Sequence, residues 1–135
     1  MTKEPFPSLD LLPPVFRKYN GIKAVYLFGS AASGNLRSDS DLDIGIVPAD
    51  DSIHDKKLEL LSDLAYVGFC NVDIVFLDVQ DIVLRFEIVK RNKVIYRTDD
   101  FDSGEMFSLT LRQYTDFLPY LKVQREALKK RLSNG

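Results

Sequence analysis

A chain of 135 residues has the size of one ordinary domain and is long enough to bury a real core. Hydrophobic residues at 45% and charged residues at 28% exclude a disordered chain, and 18 basic against 20 acidic residues (net charge −2) argue against direct binding of nucleic acid through bulk charge. The single Cys70 excludes an internal disulfide, the first residues hold no apolar signal core, and no apolar run approaches bilayer length, so the expectation is a soluble cytoplasmic protein with no membrane partner.

Residues 1–7 read as a loose arm. Residues 11–19 have helical character, with Pro13-Pro14 tolerated in a first turn where the missing N–H groups would have no helical partner. Asn20-Gly21 closes that helix. Residues 22–28, rich in Ile, Val, Tyr and Phe, predict a first strand. Residues 29–40 are a loop with room for one helical turn from Ser30, and residues 42–47 are a second strand ended by Pro48. Asp50-Asp51-Ser52 offers an N-cap to a helix over 53–67, with His54, Leu58, Leu61 and Ala65 as its stripe and Gly68 at its end. Residues 72–77 predict a third strand. Asp78 is expected to cap a helix over 80–91 that turns Ile82, Val83, Phe86 and Val89 inward. Residues 94–96 are either a fourth strand or an extended docking segment. Strands alternating with helices indicate an α/β or α+β sheet with helices packed on it.

From Asp102 to Leu132 the pattern is helical, with Phe107, Leu111, Tyr114, Leu118, Leu121, Leu128 and Leu132 at spacings of three and four, interrupted by Arg125. Thirty helical residues would span about 45 Å, more than a domain of this size can cover, and Pro119 is expected to bend or split the rod. Two architectures remain: a helical hairpin closing over the sheet, or a long C-terminal helix whose far half docks on another protein. The chain accordingly divides into residues 1–97 and a C-terminal helical extension, 98–135.

The chemistry concentrates between the first two strands. The first strand runs into Gly29-Ser30; a polar loop with a second glycine, Gly34, follows; and Asp41-Leu42-Asp43 opens the second strand. Residues two apart on a strand share a face, so Asp41 and Asp43 point one way and Leu42 and Ile44 the other. Two carboxylates side by side repel unless a cation lies between them, and hard divalent ions such as Mg²⁺ are held by one or two carboxylates with substrate phosphates completing the shell. A third acidic residue, Asp73, interrupts the apolar strand around it, where a carboxylate is costly unless paired or metal-bound. If the third strand lies beside the second, the three carboxylates converge and can hold two divalent ions for in-line displacement at phosphorus. Ser30 offers a hydroxyl, and backbone N–H groups at a nascent helix start bind anions.

Gly29-Ser30, then ten residues, then Asp41-Leu42-Asp43, then a later strand aspartate resembles the signature of the polymerase-β-like nucleotidyltransferases, over roughly residues 22–96. The small size resembles the minimal nucleotidyltransferases of prokaryotes. The resemblance implies a mixed β-sheet flanked by helices and transfer of a nucleoside monophosphate from a triphosphate with loss of pyrophosphate. It implies Asp41 and Asp43 as the metal pair, Asp73 as a third metal ligand that helps deprotonate the acceptor, and Gly29 and Ser30 as the nucleotide-holding pair. Many small members resemble enzymes that transfer AMP from ATP onto a tyrosine of a helical HEPN toxin, as type VII-like antitoxins. The expected cofactors are therefore Mg²⁺, two ions, with ATP as substrate, and the expected partner is a HEPN-domain toxin. Two alternatives stay open: a binding protein that neutralises its partner sterically, and a nucleotidyltransferase acting on a small molecule.

Arg37, in the loop, is a further candidate for contact with the triphosphate. Other residues read as structural. His54, the single histidine, is a packed or surface residue. Cys70 is expected to be a small buried hydrophobe. The basic runs 90–93 and 129–131 complement helix dipoles, and Tyr96, Tyr114 and Tyr120 are packing residues.

Overall fold

A computed structural model describes residues 7–29 and 41–133. Strands β1 (Ile22–Phe28), β2 (Leu42–Pro48), β3 (Val72–Phe76) and β4 (Val94–Arg97) form one sheet in the order β3-β2-β1-β4. β1 is antiparallel to β2 and to β4, whereas β2 and β3 are parallel. A parallel pair needs a crossover, supplied by a 3-10 turn (Asp51–Lys56) and helix α2 (Lys57–Tyr66). Helix α1 (Leu12–Arg17) precedes the sheet, α3 (Ile82–Arg91) joins β3 to β4, and α4 (Ser103–Ser133) follows β4. The mixed sheet flanked by helices is therefore the observed architecture.

Strand alternation divides the core between the two faces of the sheet. Leu42, Ile44 and Ile46 of β2 join Val25 and Leu27 of β1 on one face, packed against Phe16 of α1 and Leu60 and Leu64 of α2. Each such side chain contributes about 1.5–3 kcal/mol when fully buried. Tyr19 donates a hydrogen bond to Asp63 and so ties the end of α1 to α2. On the other face Ala24 and Tyr26 lie under Leu77, Ile88, Val89 and Phe101. Gly45 belongs to this face: a β-carbon there would lie 3.1 Å from Cδ2 of Leu77.

Tyr26 is fully buried and its hydroxyl has no hydrogen-bond partner among the described residues. Burial pushes its pKa up to about 12. An unpaired buried hydroxyl is a net cost, so Tyr26→Phe is expected to raise stability by about 1 kcal/mol. Thermal denaturation checks this, and a lowered melting temperature would show that the hydroxyl is bonded after all.

Several boundaries depart from the sequence pattern. The helix expected over 53–67 begins as a 3-10 turn, which has three residues per turn rather than 3.6. The stripe is thereby rephased: Ile53, Leu60 and Leu64 are buried while Leu58 is 82% exposed. Asp81, not Asp78, caps α3, accepting from the backbone N–H of Leu84 at 3.0 Å. Of the four residues expected to face inward from α3, Val89 is buried, joined by Ile88, while Ile82, Val83 and Phe86 are half-buried. Cys70 is exposed rather than buried, because it lies in the link before β3 and not on the strand.

Asp102 caps α4, accepting from Gly104 and Glu105 N–H at 2.9 and 3.2 Å. α4 is neither a hairpin nor split: its 31 residues run through Pro119 as one helix. A proline inside a helix costs about 3 kcal/mol and one backbone hydrogen bond. In a helix this long the cooperatively formed bonds on either side outweigh that loss.

Candidate functional site

Register assembles the site. In the parallel pair of β2 and β3, Leu42 stands opposite Val72, Asp43 opposite Asp73 and Ile44 opposite Ile74. The second residue of each strand is thus an aspartate, and the two side chains leave the sheet on the same face, about 4.8 Å apart from strand to strand. That face is the one carrying Tyr26 and covered by α3, because Asp43 alternates with Leu42 and Ile44 of the other core. Asp41 sits just before β2 and is exposed; Asp43 is half-buried and Asp73 exposed. On the other side of β2, Asp43 pairs with Phe28, the last residue of β1.

The central carboxylate, Asp43, feels the charge of both neighbours. Burial first, and then the negative charges of Asp73 and Asp41, hold the Asp43 carboxyl above its ordinary value. Among the described residues no lysine or arginine forms an ion pair with any of the three. A cluster of hard oxygen donors with uncompensated charge is the donor set that Mg²⁺ takes. By donor chemistry Asp43 and Asp73, side by side with Asp41 adjoining, suit a divalent cation, although the ligand atoms of the three are not all within 4.8 Å of one another.

Gly29 closes the site from above. Its φ of +66° lies in the left-handed region that disfavours residues with a β-carbon. A β-carbon there would overlap Oδ2 of Asp43 and lie 3.2 Å from its Cγ. The absence of a side chain at Gly29 thus makes room for the central carboxylate. The phosphate-facing role expected of Gly29 concerns the loop beyond it, and Ser30 and Arg37, like Gly34, lie outside the described residues.

Beside Gly29, on the same face of the sheet, opens a cleft of about 380 Å³ lined by Phe28, Gly29, Leu84, Glu87, Ile88 and Arg91. Arg91 and Glu87 were not singled out by sequence reasoning, which assigned the basic run 90–93 to the helix dipole. The available signal was helical: residues 84, 88 and 91 lie on one face of α3, spaced four and three apart. Lys90 points elsewhere, bonding Glu87 at 3.1 Å and lying 5.6 Å from the centre of the Phe86 ring.

The group of metal-capable side chains that does cluster tightly among the described residues lies at the opposite end of the parallel strands. Ligand atoms of Asp51, His54 and Asp78 all lie within 4.8 Å of one another. Asp51 follows β2 and Asp78 follows β3, whereas Asp43 and Asp73 are at the beginnings of those strands. His54 Nε2 is hydrogen-bonded to Asp78 at 2.9 Å, and its ring centre is 4.5 Å from that of Phe76. The histidine thereby pins the turn after β2 to the turn after β3, the packed role expected of it.

Comparison with known proteins agrees with this geometry. The pattern of the "Polymerase beta, Nucleotidyltransferase" family matches residues 12–101. Protein adenylyltransferase MntA of Shewanella oneidensis is 31% identical over 108 residues, 79% of this chain and 73% of that protein. A chain in the crystal structure of a toxin-antitoxin with AMP-PNP superposes with a TM-score of 0.71 at 26% identity, over 93% of this chain and 98% of that one. A chain in the complex of tri-AMPylated Shewanella oneidensis HEPN toxin with MNT antitoxin superposes with a TM-score of 0.65 at 25% identity, over 92% and 94%. Among the described residues no helix is long and apolar enough to cross a membrane. The sheet, its paired aspartates and the match over two thirds of its length place this chain in the polymerase beta nucleotidyltransferase family.

Proposed function

We propose that this chain is a Mg²⁺-dependent protein adenylyltransferase that transfers AMP from ATP to a tyrosine hydroxyl of a HEPN toxin and so acts as its antitoxin. The observation that carries the reading is the side-by-side register of Asp43 and Asp73, with Asp41 adjoining and no cation from the described residues to balance them. The relative named as a protein adenylyltransferase and the neighbour described as an AMPylated HEPN toxin with its antitoxin support the choice of acceptor.

In this reading the phenol oxygen attacks the α-phosphorus of ATP, a new P–O bond forms, and the bond to the bridging oxygen breaks to release pyrophosphate. Asp41, Asp43 and Asp73 would hold Mg²⁺, two ions, which when bound would neutralise the charge that builds on the phosphates. Asp73, the more exposed of the facing pair, accepts the proton of the incoming hydroxyl. Gly29 and Ser30 hold the triphosphate, with Arg37 as a further contact. The cleft under α3 takes the nucleotide, with Arg91 directed to its anionic part. Residues 1–97 supply the transfer domain, and 98–135 are the extension that meets the partner.

The direct test is labelled ATP with a purified HEPN toxin as acceptor. Label is expected on the toxin with the wild-type chain and Mg²⁺, and is expected to be lost with Asp41→Asn or with chelator. Transfer undiminished in Asp41→Asn, or none with wild type, removes the proposal. Arg91→Gln should raise KM for ATP about tenfold with little change in kcat, the loss of one charge-assisted hydrogen bond. An unchanged KM places the nucleotide elsewhere.

A further inference from the structure

The heptad geometry of α4 carries an inference about what docks on it. From Phe107 to Leu132 its apolar residues recur at alternating steps of four and three over nearly four heptads, with Arg125 the one interruption. That is the 3.5-residue period of a two-helix seam. The first part of the seam already has a partner: Tyr114 stacks on Phe86 of α3 at 4.1 Å with the rings 7° from parallel, and Arg85 donates to Gln113 at 2.9 Å. Past Tyr114 the same stripe leaves the body of the protein. Leu118, Leu128 and Leu132 are 42%, 54% and 72% exposed. A groove of about 390 Å³ follows the stripe, bordered by Leu118, Leu121 and Arg125 with Lys122 and Lys129 on its rim.

Charge identifies the occupant. Residues 120–133 hold five basic side chains against the single Glu126, although the whole chain carries −2. Lys122 and Lys129 directly follow the seam residues Leu121 and Leu128, so they flank the contact where neighbouring helices exchange ion pairs. Two copies of this chain are disfavoured in either direction: a parallel pair faces Arg125 with Arg125, and an antiparallel pair sets the flanking lysines against each other. A helix lying on a membrane keeps its cations away from the apolar face, whereas here Arg125 stands within the stripe.

We infer that the distal half of α4, from Leu118 to Leu132, docks an amphipathic helix of a different protein through a two-helix seam, and that this helix carries apolar residues at the seam, carboxylates on its flanks and one carboxylate opposite Arg125. The inference rests on the reading that residues 98–135 meet the partner, and its test reads binding alone, so it can fail while the transfer chemistry stands.

Full-length protein is titrated against two labelled 21-residue heptad peptides with leucine seams, one flanked by glutamate and the other by lysine. The glutamate peptide is expected to bind at least tenfold more tightly. The exposed double variant Lys122→Glu/Lys129→Glu is expected to reverse that order, with its circular dichroism unchanged. The protein itself is expected to sediment as a monomer at micromolar concentration and to leave vesicles of mixed phosphatidylserine and phosphatidylcholine unbound. Equal affinity for the two peptides, an order unchanged by the double variant, self-association through the seam, or vesicle binding without peptide binding each overturns the inference.

Discussion

Asp43→Asn is expected to lower the rate of AMP transfer by about a thousandfold while making the nucleotide-free protein more stable. In the proposed reaction the first effect follows from losing the central ligand between Asp41 and Asp73: several kcal/mol of charge stabilisation at about 1.4 kcal/mol per decade is on the order of three decades. The second follows from the environment of the carboxylate. Burial, Asp73 and Asp41 raise the folded-state pKa of Asp43 above its unfolded value. Between those two values the folded chain binds the proton that the unfolded chain has released, so stability falls as pH rises through that window. Above the window the penalty is complete. The asparagine variant lacks this term, so the difference in melting temperature between variant and wild type should grow from acid to neutral pH. Mg²⁺ should close the gap by stabilising the wild type alone. Parallel pH profiles for the two proteins would show that the three carboxylates do not share one field. The site thus holds like charges together at the expense of the resting fold.

Gly29→Ala is expected to be the most damaging substitution that leaves every carboxylate in place. At a φ of +66° alanine costs about 1–2 kcal/mol of backbone strain. Its methyl group would also occupy the volume of Oδ2 of Asp43, so the strand end or the carboxylate must shift. A displacement of about 1 Å in a reacting constellation costs about a hundredfold in rate. The matched control is Gly68→Ala, also at positive φ (+111°), where the β-carbon would meet Cγ of Pro7 at 2.9 Å and no carboxylate. Both variants should lose stability, measured by denaturant melts, and only Gly29→Ala should lose transfer. If the two lose activity equally, Gly29 acts through global stability and not by seating Asp43.

These two results bear on one local device, a strand end folded back over a paired aspartate. The cleft beside it is bounded by α3, and α3 in turn carries the start of α4 through the Phe86–Tyr114 stack. In the proposed reading the nucleotide side and the partner-facing helix are therefore built on opposite sides of one ten-residue helix. In the proposed reaction both faces are needed, one to seat ATP and one to carry the element that meets the acceptor protein.

What the sequence determined by itself is what depends on neighbours along the chain. The bounds of β1, the turn at Gly29, the paired Asp41 and Asp43 and the odd carboxylate in β3 were all legible, because alternation and turn chemistry are local. The family signature is legible for the same reason, since Gly29, Ser30, Asp41 and Asp43 lie within fifteen residues. Tertiary structure decided the rest. Only the parallel crossover sets Asp73 beside Asp43, since strand order and register depend on how two sheet faces are filled and not on either strand alone. Only the 3-10 start of the crossover segment turns Leu58 outward and Leu60 and Leu64 inward. Only packing on α3 divides α4 into a half with a partner and a half without one, although the repeat is uniform along it. A heptad states that a helix has a partner, whereas the surrounding fold decides how far that partner belongs to the same chain.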